Sequence, residues 1–318
     1  MLLPGLGETA ALATAVSWSA CAQFFAAAGR RVGSVAVNHI RLLFAMMLLP
    51  LMHRVVLGSF VPEAMATRDA WLLAASGVIG IALGDAAGFR ALVMIGPART
   101  TLVVTLTPAI AATLAAAFLG EVLRPFAIVG MAVTITGLLV GVIGRWRAEQ
   151  RVARASGTAI PGTLAPRVLA IGLLAAVGGA VGQAMGQVLA KPALANVDPL
   201  SATLVRVASG AALIWGFTLV MCVVRRAPPR WRGAFRDRQA MGLTLLGTLA
   251  GPTCGVWLSQ VATKHAEVGV AATLMALVPL FVLLEDALIR RRRPLGHELL
   301  GALIAITGVV LLVWACRP

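Results

Sequence analysis

The sequence predicts an all-α integral membrane protein of about ten transmembrane helices, built as two inverted five-helix repeats. Three observations carry that prediction. First, 59% of the 318 residues are hydrophobic and 12% are charged, with a mean hydropathy of +0.92. Soluble domains carry about 25% charged residues, so most of this surface must meet lipid. Second, apolar stretches long enough to cross ~30 Å of hydrocarbon at 1.5 Å per residue recur along the whole chain. Third, the second half is a faded copy of the first. Pro108, Gly130 and Gly137 recur as Pro279, Gly301 and Gly308, and 279 − 108, 301 − 130 and 308 − 137 all give 171. Gly80 and Gly84 recur as Gly251 and Gly255 at the same spacing.

In chain order, the first repeat (9–144) supplies spans over 9–29, 35–57, 70–95, 100–120 and 125–144. No Lys or Arg precedes the first span, so it lacks the basic flank of a signal peptide and is expected to be retained. Residues 145–167 are rich in Arg, with Ser, Gly and Pro towards the end, and are expected to form a basic polar linker. The second repeat (168–316) supplies spans over 168–190, 200–224, 239–263, 268–289 and 299–316. Five spans per repeat is an odd number, so the second copy enters the membrane from the opposite side. Glycines recur every four residues at 80, 84 and 88, at 178, 182 and 186, and at 247, 251 and 255. That spacing places them on one helix face, where backbones can approach closely.

The net charge of +15 does not indicate nucleic acid, because the arginines sit in short loops bracketing apolar spans rather than along a soluble face. Trp71, Trp146, Trp231 and Trp314 fall near span ends, as interfacial aromatics do. Arg30, Arg31, Arg99, the runs 145–167 and 225–238, and Arg290 to Arg293 fall in one alternating set of loops. The positive-inside rule places that set in the cytoplasm and both termini outside. Four scattered cysteines have neither metal-type nor disulfide-framework spacing.

The first copy reads Gly84-Asp-Ala-Ala-Gly-Phe-Arg-Ala-Leu, then Leu-Thr-Pro108, then Leu119-Gly-Glu121 and Gly130; the second keeps Ala271-Ala-Thr-Leu, Pro279, Gly301 and Gly308. This ordered set resembles the EamA-type branch of the drug/metabolite transporter superfamily. The resemblance implies ten helices, inverted repeats and alternating access. The implied cargo ranges from amino acids to sugars, nucleosides and drugs, and the termini would lie in the cytoplasm, against the charge asymmetry. One departure stands out: the position matching Glu121 is 292, an arginine.

Charge at bilayer depth costs roughly 2.5–3.5 kcal/mol on insertion scales and calls for a reason. Asp85 lies about 22 Å into its span and is the deepest acid. It reads as a proton- or cation-binding carboxylate, or as a cross-link between helices. Arg90 lies near ~30 Å, within snorkelling reach of the interface. Glu285 lacks an obvious local partner, whereas Asp286 precedes Arg290 by one turn and suits an i,i+4 pair. Arg41 and Arg206 each sit about 9 Å into a span; snorkelling to phosphates is the favoured reading, with an anionic cargo group as the other. Gln183 and Gln187 share a helix face and suit a polar cargo or an interhelical bond. Trp18, Trp215 and Trp257 wall a cavity or pack. His39 reads as a satisfied interfacial imidazole.

These features point to a secondary transporter of a small organic metabolite or drug, an exporter in the cytoplasmic membrane. No Gly-x-x-x-x-Gly-Lys-Ser/Thr occurs, so an ion gradient or exchange must drive it. The competing classes are a non-transporting scaffold or lipid scramblase and an integral-membrane enzyme. His297-Glu-Leu-Leu-Gly301 lacks the second His of a zinc-protease helix, and no nucleophile motif has a placed base. No metal or cofactor is expected beyond proton coupling. The expected partners are a small-molecule substrate and membrane lipid, with a homodimer left open.

Overall fold

A computed structural model describes residues 5–95, 100, 103–155, 165–225, 230–288 and 295–315. Among them the chain is helical throughout, apart from short connections. In order come α1 (Leu6–Val32), α2 (Ser34–Leu57), α3 (Thr67–Gly77), α4 (Asp85–Ile95), α5 (Thr107–Leu119), α6 (Pro125–Ala155) and α7 (Pro166–Leu194). There follow α8 (Pro199–Arg225), α9 (Arg238–Thr248), α10 (Val256–His265), α11 (Val268–Met275), α12 (Val278–Leu288) and α13 (Gly296–Ala315). Eight helical stretches of the described residues are long and apolar enough to cross a membrane, and two shorter apolar helices, Thr107–Leu119 and Gly296–Leu311, join them.

The repeat is visible in the backbone itself. A seven-residue π-helical segment, Val78–Gly84, joins α3 to α4, and a second, Leu249–Gly255, joins α9 to α10. Their starts and ends are each 171 residues apart, matching the spacing read from the glycines.

The chain divides into two compact units, one of Met1–Ala82 with Leu189–Ala266, the other of Leu83–Val188 with Glu267–Pro318. Each unit takes helices from both halves of the sequence. In the first, Leu42, Ala45 and Leu49 of α2 pack on Leu200, Leu204, Val207 and Ala211 of α8. Helix α1 lies along α9, the second π segment and α10, and here the glycine triplet acts. A Cβ on Gly247, Gly251 or Gly255 would stand 2.5 Å from Phe25, 2.3 Å from Cys21 Sγ and 2.7 Å from Trp18, respectively. These glycines form a groove for side chains of α1 rather than a backbone-to-backbone contact.

In the second unit glycines bring two backbones into direct contact. A Cβ on Gly137 would lie 2.3 Å from Ala305 N, and one on Gly308 would lie 2.3 Å from Thr134 N. With 171 added, Thr134 becomes Ala305 and Gly137 becomes Gly308, so these are one contact with the copies exchanged. Gly301 similarly meets Gly141, and Gly144 meets His297. As residue numbers rise along α6, those of the partners fall along α13, so the last helices of the two repeats run antiparallel, as inverted copies must. Lipid is as apolar as Leu, so such helices associate through close packing of small residues rather than through expulsion of water. The Ala-rich core of Ala111, Ala115, Ala184 and Ala272 follows the same logic.

Three spans differ from expectation. The apolar span over 125–144 continues as helix to Ala155, because Arg145 to Ala155 holds strong helix formers and neither Gly nor Pro. Residues 156–164 of the expected linker lie outside the described residues. The span over 100–120 is helical at its described residues 100, 103 and 104, turns at Thr105 and Leu106, and resumes as α5 at Thr107. The span over 268–289 breaks between α11 and α12, where Pro279 cannot donate to the Met275 carbonyl.

Candidate functional site in the membrane-spanning helices

Asp85 is the first residue after the first π segment. Such segments are rare and frequent at functional sites, since they re-aim the side chains that follow. Its carboxylate is half-buried, and Gln183 Nε2 of α7 donates to Oδ1 at 2.9 Å. The two polar groups read separately from the sequence thus form one pair, within the second unit. Close packing brings their helices together: a Cβ on Gly179 would lie 3.0 Å from Gly88 N and 3.3 Å from the Gly84 carbonyl. Gln187, one turn after Gln183, is 6% exposed, and its amide oxygen has no hydrogen-bond partner among the described residues. Arg90 is exposed on α4, and Glu285 is half-buried on α12. The Asp286 side chain and Arg290 lie outside the described residues.

The two arginines depart from the favoured expectation. Arg41 is 9% exposed and Arg206 is 5% exposed, so both are buried in the first unit and do not snorkel along its surface. Arg41 Nε donates to Asn38 Oδ1 at 2.8 Å, and its guanidinium lies 5.9 Å from the Phe25 ring centroid, within cation–π range. Arg206 is buried where α3 crosses α8, with a Cβ on Gly77 standing 2.1 Å from its carbonyl oxygen. Trp257 packs against the α2–α8 core, and Trp18 fills the groove over Gly255.

The recurrent motif residues have structural explanations. Pro108 and Pro279 are each the second residue of their helices, where a missing N–H breaks no helical bond. Gly120 ends α5 at φ 68°, a conformation that disfavours side chains. The turn delivers Glu121, whose Oε2 accepts the Val268 N–H of α11 at 2.8 Å. A first-repeat carboxylate therefore caps a second-repeat helix. By sequence, the counterpart of Val268 is Pro97, which has no N–H to donate. The copy with Arg292 in place of the acid thus also lacks the donor it would serve.

Several further polar groups in the first unit are paired in the folded chain. His53 is 1% exposed, with Nε2 2.9 Å from Ser201 Oγ. Gln260 is fully buried, donating to Ser259 Oγ at 3.2 Å. Asn196 donates to Asp69 at 3.2 Å. These partners of His53 and Asn196 lie 148 and 127 positions away, and that of Gln260 is its neighbour on the same helix turn, so no local spacing marks them. His39 is satisfied as expected, pairing with the Val35 carbonyl and Thr218 Oγ1, each at 2.8 Å. Outside the spans, Asp237 caps α9 by accepting the Ala240 N–H at 2.9 Å and bridges Arg31 at 2.8 Å. Those two interactions, the Ala240 bond foremost, hold its carboxyl below the usual carboxylate range.

The sequence profile of the EamA-like transporter family matches the chain twice, over residues 5–143 and again over 170–314. The chain belongs to the EamA-like transporter family. EamA-like proteins are multi-pass membrane transporters, and both EamA repeats are present here in order. No protein of curated function is detectably similar in sequence. A protein of known crystal structure superposes with a TM-score of 0.71 at 20% identity, over 96% of this chain and 95% of its own. That likeness speaks for the fold alone.

Proposed function

We propose that this chain is a secondary active transporter that exports a small organic metabolite or drug across the cytoplasmic membrane by alternating access. A gradient or exchange supplies the energy, and Asp85 couples it to cargo movement. The observation that carries the reading is the Asp85–Gln183 pair within membrane-spanning helices. An ionised carboxylate at depth costs roughly 2.5–3.5 kcal/mol, and a hydrogen bond to a charged group returns about 1.5–3 kcal/mol. A proton or a cationic group bound at this carboxylate would offset the cost of its charge at depth. An amide suits either protonation state, because Gln183 can donate to the carboxylate or accept from the acid.

The test is counterflow in proteoliposomes with wild type and Asp85→Asn. The variant is expected to lose gradient-driven accumulation and its pH dependence. Unchanged transport with an unchanged pH profile would end the assignment. The burial of Arg41 and Arg206 favours a second reading, in which the cargo carries an anionic group. Inhibition of counterflow by anions but not by cations would select it.

A further inference from the structure

Between α8 and α9 the chain forms a short 3₁₀ helix, Arg230–Arg236, in which cations and aromatics alternate. Trp231 and Phe235 turn onto the α2–α8 pair and pack edge to face at 5.9 Å, while Trp231 stacks on the His39 ring at 5.4 Å. With Trp215 these rings wall an apolar cleft of about 360 Å³, within the ~300–1,000 Å³ of small-molecule sites. Leu43 and Leu219, which line the cleft, are 38% and 66% exposed on spanning helices, a surface that meets acyl chains. His39 is held at both ring nitrogens, which makes this wall rigid.

The same short helix borders a second, open cleft of about 800 Å³, edged by Arg31, Arg236 and Arg238. Its one carboxylate, Asp237, is already engaged by Arg31 and by the Ala240 N–H. Arg236 and Arg238 are exposed and have no carboxylate partner among the described residues. A dry slot for a hydrocarbon tail therefore adjoins two cations in need of an anion. The positive-inside bias places this loop at the cytoplasmic face, where anionic lipids concentrate.

We propose that the Arg230–Arg236 segment is a binding site for one anionic phospholipid of the cytoplasmic leaflet. An acyl chain lies in the His39–Trp215–Trp231 cleft, and the headgroup phosphate lies on Arg236 and Arg238. The tail contributes burial of apolar surface and the phosphate contributes charge pairing with the two arginines.

The test uses the full chain, delipidated in neutral detergent, with melting followed against added lipid. Phosphatidylglycerol is expected to raise the melting temperature well above the effect of phosphatidylcholine with the same acyl chains. Each cation near a membrane surface is worth about fivefold in affinity, so Arg236→Gln with Arg238→Gln should weaken phosphatidylglycerol binding about 25-fold. The paired lysine substitutions should retain most of it. Equal stabilisation by phosphatidylcholine, by inorganic phosphate alone, or of the glutamine variant would overturn the proposal. Should the glutamine variant fail to fold, phosphatidylglycerol with brominated chains is offered to wild type and Trp231→Phe. Preferential quenching of the Trp231 contribution over that by brominated phosphatidylcholine is expected, and no preference would also overturn it.

Discussion

Replacing Gly137 by alanine tests the antiparallel seam that joins the two repeats. The added Cβ would stand 2.3 Å from Ala305 N and 2.8 Å from its Cα. Both are backbone atoms of a packed helix, so no side-chain rotation relieves the overlap. Ordinary contact begins near 3.4 Å, so α6 and α13 must part by ~1 Å. A gap of 0.5–1 Å forfeits a quarter to a half of each contact's attraction, and overpacking of this kind costs about 1–3 kcal/mol. Taking the upper end, and subtracting the ~1 kcal/mol that alanine gains over glycine in a helix, leaves a net loss of about 2 kcal/mol. Gly141, one turn along the same helix, is the control, since a Cβ there meets nothing within 4 Å. Gly141→Ala should be neutral or stabilising by up to ~1 kcal/mol. Gly308→Ala, the same contact with the copies exchanged, should match Gly137→Ala. Unfolding by SDS in mixed micelles measures all three. Equal losses at Gly137 and Gly141, or a Gly308 variant as stable as wild type, would refute the seam and its internal two-fold symmetry.

Three further outcomes follow from the other contacts. Glu121→Ala should destabilise by about 1 kcal/mol, the usual worth of a helix cap, and speed hydrogen exchange at the Val268 amide, whereas Glu121→Gln should lose less. Gln183→Leu should move the pH profile of transport in proteoliposomes although Asp85 is intact; a superimposable profile would separate Gln183 from the coupling step. The Asp237 carboxyl is held low in the folded protein, so its cap and its bridge to Arg31 contribute fully above the unfolded value near 3.8 and fade as pH falls through the lower folded value. Exchange at the Ala240 amide should therefore be protected at pH 5 and lose that protection on strong acidification, a dependence that Asp237→Asn should abolish.

The class of fold was legible because lipid imposes a one-dimensional rule. A span must be apolar for some twenty residues whatever surrounds it, so ten such stretches can be counted, and Pro108, Gly130 and Gly137 matched to Pro279, Gly301 and Gly308 at an offset of 171, without coordinates. The motif residues were legible for a related reason, as Pro108 and Gly120 act on backbone within one helical turn of themselves. The π segments were not, because an inserted residue changes helical pitch without changing composition. Nor was the continuation of α6 to Ala155, where charge suggested a linker and helix propensity prevailed.

The sequence by itself determined that this chain lives in a bilayer, that it is duplicated, and which polar side chains must be explained at depth. Only the tertiary structure decided how those groups are used: that Asp85 meets Gln183, that Glu121 caps the other repeat, and that Arg41 and Arg206 are buried rather than snorkelling. The reason is physical. Hydropathy is a property of each residue against its solvent, whereas a hydrogen bond between positions 85 and 183 exists only after glycines at 84, 88 and 179 let two backbones close to within contact.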